Sequence, residues 1–235
     1  MADITTHYQD HTLLIRISDT LHAPSAGALF VNLVEILIEA ERSEEVRSIV
    51  LTGHQGFLPS LVLPAGVSVQ DTQAWLEGWH TVLETVDTGV KPVIAALEGE
   101  VSAMGLALAL ACERVLASRT LHVIQEPEHS GAGSGLSWFL GQRVSQALAS
   151  RLLLGGVMRI LPEQMQQAGL IGGLVEQGTA LDHALADAAY LNRNSPQSVQ
   201  LARELLHQAR AQSLHAQLET ERQLLWKLQR QPSAN

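Results

Sequence analysis

Apolar residues recur along this chain in two rhythms. "HTLLIRIS" (residues 11–18) and "VRSIVLTG" (residues 46–53) are short runs rich in β-branched residues, closed by turn formers, which is how strands read. Between them, "SAGALFVNLVEILIEAER" sets Leu29, Leu33, Ile36 and Ala40 at helical spacing, so the opening of the chain predicts a β-α-β unit. A second helix is predicted from the cap-like Asp71 through "DTQAWLEGWHTVLETVDTG", stopping at Gly89. "KPVIAALEG" is then a third strand, and its lack of alternation places it inside a sheet covered on both faces.

The stretch "GEVSAMGLALALACERVLAS", Gly99 to Ser118, opens with a short irregular segment and continues as small apolar residues that predict a tightly packed helix. Strand-like "RVLAS" and "LHVIQ" follow, then a glycine-rich "HSGAGSG" and a helix through "LSWFLGQRVSQALASRLLL". Strands alternating with helices imply a mainly parallel sheet with right-handed crossovers. From Pro162 onward the pattern is mostly helical, interrupted by "GLIGGLVE".

The start of the "LALALACE" helix has two readings. Small residues there permit close packing of the helix on the sheet. The same start also carries unpaired N–H groups and the positive end of the helix dipole, which can hold a developing negative charge.

Composition narrows the class. The chain has 235 residues, 46% of them hydrophobic, and a net charge of −9. No apolar run reaches the length that spans a bilayer, and the acidic start lacks a signal-peptide pattern, so a cytoplasmic protein is expected. Without a long Lys/Arg cluster, neither nucleic acid nor an anionic membrane is an expected partner. Cys112 is the single cysteine and sits in an apolar run, which excludes a disulfide framework, and the ten histidines show no metal spacing.

"KPVIAALEGEVSAMGLALALACERVLAS" resembles the central signature of the enoyl-CoA hydratase/isomerase (crotonase) family. "IVLTG" with Phe57, "RILPEQMQQAGLIGGLVE", "NSPQSVQLARELL" and "LETERQLLWKL" are similar to further pieces of that family in the same order. The resemblance implies an α/β crotonase fold, a ββα spiral with a C-terminal helical region. It places the spiral core and its oxyanion turns in residues 1–175, and helices for oligomerisation and site closure in residues 176–235. It also implies acyl-CoA or an acyl-carrier thioester as substrate, no separate cofactor, and a homotrimer or hexamer.

Carried over residue by residue, the family's two backbone oxyanion donors fall on Leu61, in "GFLPSLVL", and Met104, in "SAMG", with Gly105 beside the latter. The turns depart from the family pattern: Pro59-Ser60 precede Leu61, Val62 replaces an Asp, and Ala103-Met104-Gly105 stand where three glycines are usual. Hydratases of the family use two carboxylates to activate water, and the first aligns with Ala107, whose methyl group can do no acid–base work. The second falls on Glu128 in "QEPEHSGAGSG", the alternatives being Glu126 or neither.

An oxyanion hole with at most one carboxylate suits an isomerase, a decarboxylase or a dehydratase better than water addition. The alternatives are a crotonase homologue that only binds or scaffolds, and a Clp-type serine protease, for which Ser102 stands one residue early. Trp75, Trp79, Trp138 and Trp226 fall on helical patterns and are expected to serve packing or subunit contacts rather than to stack on a ligand, and Lys91 is expected to cap a strand.

Overall fold

A computed structural model describes residues 4–17, 23–53, 56–57, 69–124, 133–154 and 160–209. A hairpin opens it: β1 (Ile4–Gln9) pairs antiparallel with β2 (Thr12–Ile17). α1 (Ala23–Arg42) then crosses over to β3 (Ser48–Gly53), parallel to β2. β4 (Gly56–Phe57) and α2 (Val69–Thr88) lead to β5 (Val93–Leu97). β6 (Glu100–Val101) feeds α3 (Ala103–Ala111), and β7 (Arg114–Ser118) and β8 (His122–Val123) follow. α4 (Leu136–Arg143), α5 (Gln146–Leu154) and α6 (Pro162–Gln167) precede β9 (Gly173–Val175), and α7 (Ala180–Leu191) and α8 (Pro196–Ala209) close the described chain.

Two sheets result. The larger runs β1-β2-β3-β5-β7-β9 and is parallel except for the β1–β2 hairpin, and the smaller runs β4-β6-β8, all parallel. Three successive turns of chain thus each give one strand to the large sheet, one short strand to the small sheet and one helix, which is the ββα spiral expected. β5 is buried at every position, as its unbroken apolar run requires.

One face of the large sheet, the small sheet and helices α1, α2 and α3 enclose the main core, in which Phe30, Trp79, Phe57, Leu97, Val101 and Leu106 are almost wholly buried. On the other face α7 lays Ala180, Ala184 and Ala188 against Val50, Ile94, Ala96 and Leu116. Small residues at every fourth position let that helix sit close to the strands.

The elements differ from the sequence expectation in four places. β1 was not expected: five of its six positions face solvent, so it carries no alternating apolar signal. The single helix expected through "LSWFLGQRVSQALASRLLL" is two helices, broken at Val144-Ser145, where the Val144 N–H returns to Leu140 O (3.0 Å) and ends α4. α2 begins at Val69 rather than after Asp71. Lys91 caps a helix rather than a strand: its Nζ donates to Ala40 O (2.5 Å) and to Ser43 O at the end of α1.

Candidate active site

Three two-residue strands organise the site. β4, β6 and β8 lie side by side and run the same way, with Phe57 opposite Val101 and Val101 opposite Val123. Adjacent strands are about 4.8 Å apart, so the chain leaves all three within roughly 10 Å. Each exit leads to one piece of the expected chemistry. Leu61 follows Phe57 by four positions, Met104 follows Val101 by three, and Glu126 and Glu128 follow Val123 by three and five. The ends of parallel strands are where such folds bind ligands. Leu61, Glu126 and Glu128 lie outside the described residues; Met104 and Gly105 lie within them.

At the central exit the chain turns at once into α3. Ser102 is its N-cap: the fully buried Oγ accepts from Gly105 N (3.0 Å), and Ser102 O accepts from Leu106 N (2.8 Å). A helix start has four N–H groups without partners inside the helix. Here the cap takes the one on Gly105, while those on Ala103 and Met104 have no hydrogen-bond partner among the described residues. Ala103 and Met104, not Gly105, therefore offer the free donors at this end of the dipole. The Met104 side chain is 6% exposed and packs into the core. One turn on, Ala107 is fully buried among apolar neighbours, with no carboxylate at its position.

The cap also answers the protease alternative. The Ser102 hydroxyl is engaged in closing the helix and is shielded from solvent, a poor arrangement for a nucleophile. Burial pushes the Cys112 thiol well above its usual range, so the single cysteine offers no thiolate.

The third exit returns as a glycine turn clamped to α2. Trp79 Nε1 donates to Ser134 O (2.9 Å), His80 Nε2 donates to Gly133 O (2.9 Å), and Ser134 Oγ accepts from Leu136 N at the start of α4 (3.1 Å). Gly133 and Gly135 hold φ near +80°, and a Cβ on them would strike Leu76 at 2.7 Å and Leu83 at 2.6 Å. Any side chain there would push the turn off α2. Sequence reasoning missed Trp79 and His80 as anchors, since their partners are more than fifty positions away. Of the other tryptophans, Trp75 packs edge-on against Phe30 as expected, Trp138 is half exposed, and Trp226 lies outside the described residues.

The far end of α3 is fully tied down. Arg143 donates to Leu110 O (2.5 Å) and Cys112 O (2.9 Å). Glu113 accepts from Val93 N (2.6 Å) and from Arg203 Nε, while the Arg203 guanidinium also reaches Val86 O (2.9 Å) and Asp87 O (2.8 Å) at the end of α2. Burial raises the Glu113 carboxyl, with the Arg203 charge opposing it. No group of three metal-ligating side chains occurs among the described residues, and none of their helices is long and apolar enough to cross a membrane.

Residues 20–235 match the family model described as enoyl-CoA hydratase/isomerase. The chain is 30% identical over 232 residues to 2,3-dehydroadipyl-CoA hydratase of Escherichia coli, covering 95% of this chain and 89% of that protein. It is 26% identical over 214 residues to 1,2-epoxyphenylacetyl-CoA isomerase of the same organism, covering 87% and 78%. Among solved structures, an enoyl-CoA hydratase from Polaromonas sp. JS666 superposes with a TM-score of 0.78 at 31% identity, over 95% of this chain and 90% of that one.

Proposed function

Because the chain belongs to the enoyl-CoA hydratase/isomerase family, we propose that it acts on an acyl thioester, of coenzyme A or of a carrier protein, through an enolate held by backbone N–H groups. The reaction this favours is isomerisation or decarboxylation rather than reversible water addition by two carboxylates. One observation carries the reading: a single helix presents a free N–H at Met104 and, one turn on, a buried methyl group at Ala107 where water addition needs a carboxylate.

The chemistry follows from where charge develops. The thioester carbonyl accepts from the Met104 N–H at the positive end of α3, and the Leu61 N–H is the second donor in this reading. As the Cα–H bond breaks, its electron pair moves onto the carbonyl oxygen, and two donors aimed at that oxygen stabilise the enolate more than the ground-state carbonyl. One carboxylate, Glu128 or Glu126, takes the proton from Cα and returns it at Cγ, which shifts a double bond. In the decarboxylating variant carbon dioxide leaves instead, and the same acid protonates Cα. Both need one proton carrier, whereas adding water across Cα and Cβ needs two. Family habit also leads us to propose a trimer or a dimer of trimers, which light scattering after size exclusion would test.

The relatives named as hydratases favour water addition, and Ala107 favours its absence. A panel of 3-enoyl-, malonyl-, 3-hydroxyacyl- and crotonyl-CoA separates the two. We expect a double-bond shift or loss of carbon dioxide, abolished by Glu128→Gln or Glu126→Gln with the melting temperature unchanged. Hydration of crotonyl-CoA at enzymatic rates overturns the reading. Thermal stabilisation by acyl-CoA with no turnover of any panel member supports instead a homologue that only binds, which the same Ala107 would explain.

A further inference from the structure

We propose that the indole N–H of Trp75 is a recognition donor that selects acyl chains carrying an uncharged oxygen acceptor beyond the thioester. This rests on the thioester reading above and adds to it a specificity-determining residue.

Trp75 is 8% exposed, and its Nε1 is buried with no hydrogen-bond partner among the described residues. Buried indole donors are almost always paired, because stripping water from the N–H costs free energy that only a partner restores. The next turn of the same helix shows the ordinary outcome: Trp79, still more deeply buried, donates to Ser134 O at 2.9 Å. The two rings share one packing partner, with Phe30 5.4 Å from Trp75 and 5.5 Å from Trp79. Phenylalanine would supply the packing at position 75 without the unpaired donor.

Position joins this donor to the site. Trp75 lies in the second turn of α2, the helix that the chain enters after leaving β4. The adjoining positions of that helix, Leu76, Trp79 and His80, hold the glycine turn on the return from β8. Trp75 also belongs to the same buried cluster as Phe57, Val101 and Met104, which stand at or just beyond the strand exits. An acyl chain whose carbonyl sits at the start of α3 is the external group that can bring an acceptor to this part of the core. A single neutral N–H matches a ketone or hydroxyl oxygen, whereas a carboxylate buried here would require several donors or a counter-charge.

The experiment compares wild type with Trp75→Phe by calorimetric titration and melting temperature. The probes are 3-oxobutanoyl-CoA and 4-oxopentanoyl-CoA against butanoyl-CoA and pentanoyl-CoA, pairs that differ by one carbonyl oxygen. Wild type should bind at least one oxo member roughly five- to tenfold more tightly than its alkyl partner, the range of one neutral hydrogen bond. Trp75→Phe should erase that preference and leave alkyl binding unchanged. Alkyl binding without an oxo preference, or a preference that survives the substitution, overturns the proposal. Failure of all four thioesters to bind removes the thioester reading and this proposal together, an outcome distinct from binding without discrimination.

Discussion

The two ends of α3 are built in opposite ways. At its C-terminal end Leu110 O and Cys112 O are taken by Arg143, and Glu113 is held between Val93 N and Arg203. At its N-terminal end the cap engages Gly105 N and leaves the Met104 N–H free, with no charged side chain in the first turn. Over a helix nine residues long, cations at the negative end stabilise the structure, while the positive end keeps unpaired donors. In the proposed reading those donors serve the thioester, and the helix is anchored from the opposite end.

Four substitutions test that contrast. The largest effect is expected from Arg203→Met, which leaves the Glu113 carboxyl buried beside an apolar chain and should cost about 3–5 kcal/mol in urea unfolding. Adding Glu113→Leu should restore most of that loss, since an apolar pair of similar volume can replace a buried ion pair. Arg143→Ala should cost about 2 kcal/mol by the same measurement, for two charge-assisted bonds to the helix end. Ser102→Ala should cost about 1 kcal/mol, the usual value of an N-cap. It should nevertheless depress turnover more than Arg143→Ala does, because it loosens the turn that carries Met104. Equal losses of turnover from the two ends would break the contrast.

The smallest effect concerns pH. Burial raises the Glu113 carboxyl in the folded state, so folding favours its protonated form. Its contribution is full below the unfolded value near pH 4.5 and falls as pH rises from there through the folded value. The stability gap between wild type and Glu113→Gln should therefore narrow as pH rises from 4 toward neutrality, measured by denaturation at matched ionic strength. A gap that widens would mean that the Arg203 charge outweighs burial.

Much of the frame was legible because continuous apolar runs can mean little else. β3, β5 and α3 are buried almost throughout, and their sequences say so without reference to partners. β4 and β6 were hidden for the opposite reason: two residues cannot display a period, and these strands exist only because their neighbours pair with them. Of the candidate site, the position of Met104 at a helix start was legible through the family signature, but which N–H the cap leaves unpaired was not. It depends on which N–H the Ser102 hydroxyl captures, a matter of cap geometry. The clamps of Trp79 on Ser134 and of Arg203 on Glu113 join positions 55 and 90 apart, and no local pattern announces such pairs.

The minimal size of β4, β6 and β8 has a consequence for how this architecture changes over time. Each short strand needs only a backbone pair to hold its place, so the segment beyond it can lengthen, shorten or exchange residues while the three ends stay in register. In the reading proposed above, a methyl group at position 107 and a methionine at 104 set what happens to a bound molecule and leave the frame that receives it standing. A fold assembled this way can lose one reaction and acquire another without passing through an unfolded ancestor.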